Sequence, residues 1–176
     1  GSAGAIQYYA DKISELSGKA DMSKSDLEKL RSAIARYNDL TGSSVSVTDE
    51  LTGALNVNEA AFKKNTEAAK ENAYAKAYAS MLEDAIKKQA ELQVELQKQQ
   101  DLYDTAAENA QKLIAKYGED WHFFPEEAQD EWLTYQSAMN EANNAMRDLR
   151  GQADAVDESI DVLDKTIEAH NEQLKQ

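Results

Sequence analysis

Residues 85–117, AIKKQAELQVELQKQQDLYDTAAENAQKLIAKY, place apolar or small side chains alternately four and three positions apart. Extended back by two steps, the row reads Tyr78, Leu82, Ala85, Gln89, Leu92, Leu96, Gln99, Tyr103, Ala106, Ala110, Leu113 and Tyr117, a heptad seam interrupted by two glutamines. A helix with one such seam has to cover it with another helix. A second seam follows the Gly118–Pro125 break: Ala128, Trp132, Tyr135, Met139, Ala142, Met146, Leu149, Ala153, Val156, Ile160, Leu163, Ile167, His170 and Leu174. Two seams joined by a short breaker predict a long antiparallel helical hairpin, a coiled coil folded back on itself with its tip at 118–125.

Side-chain size predicts the register. If the chain turns near His122 and Phe123, Ala110 faces Tyr135, Ala106 faces Met139, Tyr103 faces Ala142, Leu92 faces Ala153, Ala85 faces Ile160 and Leu96 faces Leu149. Large opposes small in most layers, as dense packing of two helices requires. The same register sets Lys87 and Lys88 opposite Glu158 and Asp157.

Composition agrees with a mostly α protein: one Pro and seven Gly in 176 residues, with Ala, Glu, Gln, Lys and Leu abundant. The net charge of -14 opposes general nucleic-acid binding and adhesion to anionic membranes, both of which need clustered Lys and Arg. The charge is uneven. Residues 118–176 carry 4 Lys+Arg against 15 Asp+Glu, whereas residues 1–57 carry 6 against 8 and residues 58–117 carry 9 against 10. The outer face of the returning arm, with Asp154, Asp157, Glu158, Asp161 and Asp164, reads as a solvated or Lys-paired surface; a cation site is the alternative, though calcium usually wants a loop to wrap it. The chain contains no cysteine, so disulfides, zinc–thiolate sites and thiol catalysis are excluded. No apolar run is long enough for a membrane span. The opening Gly1-Ser2-Ala3-Gly4 lacks an initiator Met and reads as the start of an internal segment of a longer protein.

Residues 1–57 read as a small subdomain at the base of the hairpin, which takes residues 58–176. Ile6, Tyr9 or Ala10, Ile13 and Leu16 make one stripe of a short helix that Gly18 stops. Ser23 reads as the N-cap of a second helix with Asp26 three residues on, its stripe Leu27, Leu30, Ile34, Tyr37 and Leu40, its stop Gly42. Ser44–Val47 and Ala54–Val57 alternate apolar with polar around a Gly-containing turn, which predicts a β-hairpin packed on the helices. Asn58 reads as the N-cap of the long helix, with Glu59 in its first turn.

The tip, Gly118-Glu119-Asp120-Trp121-His122-Phe123-Phe124-Pro125, has two readings. Gly118 ends the first helix and Pro125 suits the first position of the second. Trp121, His122, Phe123 and Phe124 either fold over Leu113, Tyr117, Ala128 and Trp132 to plug the end of the coil, or form an exposed aromatic patch for a partner. Catalytic patterns are missing. His122 and His170 lie far apart in the register, His170 reads as a packed layer opposite Ala75, and the glycines are isolated, so no phosphate loop is formed. Paired carboxylates occur without a cleft to separate their pKa values, so no enzyme, cofactor or metal is expected. Gly151 inside the second arm reads as a soft spot or bend in that helix.

Tyr37-Asn38-Asp39-Leu40-Thr41-Gly42-Ser43-Ser44-Val45-Ser46-Val47, then Asp49-Glu50-Leu51-Thr52-Gly53-Ala54-Leu55-Asn56-Val57 and an N-capped Ala-rich helix, resembles a module of tail tape measure proteins of long-tailed phages and prophages. The resemblance covers roughly residues 27 to 75 and rests on a turn motif, D-x-x-T-G-x-L-N. It implies a structural role: tape measure proteins fill the lumen of the growing tail, set its length and scaffold its assembly. It further implies the virion tail, assembled in the bacterial cytoplasm, as the location, and the tube protein, tail-assembly chaperone, tip complex and further copies of the chain as partners. No functional residues transfer with it. A second class stays open from the residues alone, a bacterial coiled-coil interaction module that presents its aromatic tip to a protein partner.

Overall fold

The computed structural model describes residues 2–175. In chain order it contains α1 (Ser2–Leu16), α2 (Lys24–Thr41), β1 (Val47–Asp49), β2 (Ala54–Leu55), α3 (Glu59–Tyr117), a 3-10 turn (Trp121–Phe123) and α4 (Glu126–Leu174). The predicted class holds: the protein is mostly α, with two helices and a two-stranded antiparallel hairpin ahead of a long helix, α3, that packs on α4. The chain divides into two compact units, one ending at Ala79 and the other starting at Ser80. The first therefore takes in the opening of α3 as well as the residues that precede it.

In the first unit, α1 buries Ala3, Ile6, Ala10, Ile13 and Leu16 along one stripe. The helix begins at Ser2, earlier than the Ile6 expected, because Ala3 adds a turn to that stripe. Ala10 takes the inner position that the sequence left open between it and Tyr9. α2 starts where Ser23 Oγ accepts the N–H of Asp26 at 3.0 Å and stops at Gly42, whose φ of +70° lets its N–H reach Asn38 O. Leu30, Ala33, Ile34 and Tyr37 are its buried face, whereas Leu40, expected there, is 40% exposed. From α3 the same core receives Phe62, its ring 4.9 Å from that of Tyr37. Asn58 caps α3 by accepting the N–H of Ala61 at 2.7 Å.

The strands differ from expectation in a way the hydrogen bonds explain. Residues 44–46 alternate as predicted, Val45 buried between exposed Ser44 and Ser46, yet they are not ladder. One backbone bond reaches them from the neighbouring strand, Asn56 N to Ser46 O at 3.0 Å, and two asparagine side chains supply the rest. Asn38 accepts from Val45 N (3.0 Å) and donates to Val45 O (2.9 Å), while Asn56 accepts from Ser46 N (2.9 Å) and donates to Ser44 O (3.0 Å). An amide side chain offers one acceptor and a donor in a plane, so it copies a peptide group. Strand pairing proper starts at Val47, opposite Leu55, with an irregularity before Asp49.

The turn residues all have structural employment. Asp49 Oδ1 accepts from Leu51 N, Asp49 O accepts from Gly53 N at 2.7 Å, and Thr52 Oγ1 accepts from Ala54 N. Leu51 O accepts from Met22 N, tying the turn to the segment between α1 and α2. Gly53 sits at φ +68°, where a Cβ would collide with Met22 Cε and lie 3.0 Å from Leu30 Cδ2. Nearby, Thr66 is a buried polar side chain of α3, 3% exposed. Its single hydroxyl hydrogen goes to Phe62 O, so the Tyr37 hydroxyl donates to it at 2.8 Å and accepts in turn from Asn65.

The second unit is the hairpin. On α3 every seam position from Leu82 to Leu113 is buried or half-buried, and on α4 so is every position from Ala128 to His170. Leu92, Ala106, Ala110, Ala142, Met146 and Ala153 lie below 9% exposure. Only the terminal members, Tyr117 and Leu174, are exposed. Gln89 of α3 donates to Asp157 of α4 at 2.6 Å, one position from Val156, which the predicted register sets opposite it. A polar seam residue is thus satisfied rather than stranded. α4 continues without a break through Gly151, and apart from the helix's own neighbouring backbone nothing lies within 4 Å of where a Cβ would stand.

Candidate interaction surface at the tip

Between α3 and α4 the chain reverses through Gly118, at φ +100°, whose N–H still bonds Ile114 O at 2.8 Å. Glycine alone adopts this backbone without strain. Asp120 then caps the 3-10 turn, accepting the N–H of His122 at 3.0 Å and contacting His122 Nδ1 at 2.7 Å. An ionised carboxylate is only an acceptor, so Nδ1 carries the proton of that bond. The two bonds hold the Asp120 carboxyl below the usual carboxylate range. Phe123 N and Phe124 N close the turn on Asp120 O and Trp121 O, each at 3.1 Å. Pro125 occupies the capping position and α4 starts at Glu126, one residue later than expected, because Pro125 is extended at ψ 151°.

The four aromatic-type side chains divide between the two readings. Phe124 is 4% exposed and packs on Leu113 and Ala128, with the Tyr117 ring at 5.6 Å and the Trp132 ring edge-on at 5.8 Å. It is the plug. Phe123 is 83% exposed. Trp121 is half-buried against the same small core and lies 4.3 Å from the exposed His122 ring, tilted by 30°. Phe123 and His122 are therefore presented outward, with Trp121 at the edge and Phe124 beneath.

Sequence reasoning missed Gln129. Its amide nitrogen donates to both His122 O and Phe124 O at 3.0 Å, pinning the turn to the first coil of α4. A Gln in the opening turn after a capping proline is the only local signal for it. Charge around the tip has one sign. Glu119, Asp120, Glu126, Glu127, Asp130 and Glu131 are all exposed, and no Lys or Arg occurs between Lys116 and Arg147. Lys116 itself lies over the Tyr117 ring, 5.2 Å from its centre.

Elsewhere, a groove of about 800 Å3 in the first unit is lined by Ala3, Gly4, Leu40, Ala73 and Tyr74, with Asp39 and Lys76 as its charged members. Among the described residues no three His, Asp or Glu side chains converge as a metal site, and none of the helices is long and apolar enough to cross a membrane. His170 is half-buried in the seam of α4, as its heptad position predicts. Comparison with family models, with curated proteins and with solved structures finds no match to this chain.

Proposed function

We propose that the chain is a structural segment of a phage or prophage tail, part of a tape measure protein that scaffolds assembly and contributes to tail length. The observation that carries the reading is the D-x-x-T-G-x-L-N segment. Asp49, Thr52 and Gly53 are spent on the backbone of their own turn and Asn56 on that of the segment before it, and the chain leads through Asn58 directly into a 59-residue helix. A motif used in this way is a connector between helical stretches, as a scaffold needs, rather than a site for chemistry. The protein partners would be the tube protein, the tail-assembly chaperone, the tip complex and further copies of the chain.

Tail length tests the reading. If all 176 residues ran as one extended helix in the tail, deleting them from the parent protein would shorten it by about 260 Å at ~1.5 Å per residue. If the hairpin persists as a folded decoration, the shortening is much smaller. Tails of unchanged length and normal yield would sink the scaffold role.

A second reading rests on a different observation, the 83% exposure of Phe123 at a hydrogen-bonded reversal. In it the hairpin is an interaction module whose tip engages a protein partner. An isolated exposed aromatic is unremarkable on a surface, but one fixed at the apex of a turn is placed for contact.

A further inference from the structure

Resting on the second reading, in which the tip is a docking surface, the geometry points to a partner of one chemistry: we propose a protein surface that offers an apolar socket for Phe123 within a rim of Lys or Arg. Two independent features specify it. The first is preorganisation. The 3-10 turn that carries Phe123 is held by the Asp120 cap, by both Gln129 bonds and by the buried Phe124 wedge, so the backbone that bears the ring is set before any partner arrives. Fixing a contact residue in advance removes the ordering entropy that a flexible loop would lose on binding.

The second feature is charge. Six exposed carboxylates lie within eight residues of Phe123 along the chain, and over the same span the one Lys or Arg is Lys116. A complementary rim is cationic, and long-range attraction would steer its approach. The same field opposes phosphate surfaces, whether lipid or nucleic acid, and opposes a second tip of this chain. Insertion of Phe123 and Trp121 into an anionic bilayer would place these carboxylates against its headgroups.

The probe is an array of immobilised peptides that cross charge (Lys/Arg-rich, neutral, Asp/Glu-rich) with apolar content, washed with the full chain, beside vesicles of phosphatidylglycerol. The expected result is retention on cationic apolar peptides, reduced at least tenfold by Phe123→Ser and weakened at high salt. Gln129→Ala, which leaves Phe123 in place but unties the turn, should also reduce it severalfold. Retention on cationic peptides that Phe123→Ser leaves unchanged would overturn the proposal, since acidity alone would then explain it. Retention by vesicles would overturn it in favour of lipid. Phe123-dependent retention on neutral or acidic peptides would end the cationic rim while keeping the tip as a docking surface. Absence of any Phe123-dependent binding would end both. Thermal unfolding of each variant separates lost binding from lost folding.

Discussion

Two glycines with opposite surroundings show how backbone conformation decides the sign of a substitution. Gly53 combines a φ of +68° with Met22 and Leu30 packed where a side chain would go. Gly53→Ala is therefore expected to destabilise the first unit by roughly 2–4 kcal/mol, the sum of left-handed strain and overpacking. Gly151 lies in the middle of α4 with open space around it. Gly151→Ala should stabilise by about 0.5–1 kcal/mol, because alanine restricts the unfolded chain without meeting anything in the folded one. Urea unfolding of both variants measures the contrast, and equal signs would refute it. At the tip, Asp120 has its pKa lowered by the side-chain and backbone bonds from His122. A carboxylate whose folded pKa lies below its unfolded one contributes fully above the unfolded value and loses that contribution as pH falls through the folded value. Trp121 fluorescence in the folded protein should accordingly report loosening of the turn only below the ordinary Asp range. In Asp120→Asn that acid transition should vanish.

At the scale of elements, the turn between α3 and α4 is held from inside and is indifferent to what it presents. Phe124 fills the space among Leu113, Ala128, Tyr117 and Trp132, so Phe124→Ala should cost about 3–4 kcal/mol in denaturant unfolding of the hairpin. Phe123→Ser, one residue earlier, should change stability by no more than about 0.5 kcal/mol, since its ring is in water. Comparable losses at both positions would mean that the plug is shared. The extended segment before β1 makes a related point about elements. Alternation in 44–47 was legible as strand because Val45 and Val47 face inward, but periodicity reports which face is buried and not what bonds the backbone. Here the side chains of Asn38 and Asn56, seven and ten or more positions away, took most of that role, beside one backbone bond from Asn56 N to Ser46 O.

For the whole molecule, the proposed tail-scaffold role turns on whether the hairpin stays closed on assembly. That role calls for an extended chain, whereas α3 and α4 double back through Gly118 and the 3-10 turn. Ala106 is 5% exposed and Met139 is half-buried, and the register places them in one layer. A chain carrying Ala106→Cys with Met139→Cys should crosslink within itself rapidly under a short thiol-reactive bridge. A control pairing Ala106→Cys with Leu133→Cys, which lies on the exposed side of α4, should not. Repeating this on assembled tails separates the alternatives: persistent intrachain bonding identifies a folded decoration, and interchain bonding identifies helices that have opened and exchanged partners. Dominant interchain bonding in the isolated protein would instead mean that the closed hairpin is not its solution state.

Heptad spacing from Leu82 to Leu113 and from Ala128 to His170, the caps at Ser23 and Asn58 and the stops at Gly42 and Gly118 determined the helices and their pairing from sequence alone. Each of these signals resides in residues a few positions apart, where period, capping chemistry and positive φ act locally. The tertiary structure alone decided which of two adjacent phenylalanines is buried, that Leu40 stays outside its stripe, and that amide side chains stand in for a strand. Phe123 and Phe124 are chemically identical. Their difference comes from Gln129 holding the carbonyls on either side of the pair, from Trp132 on the same side of the turn, and from Leu113 and Tyr117 of α3, which reach the Phe124 ring only after α3 and α4 have met.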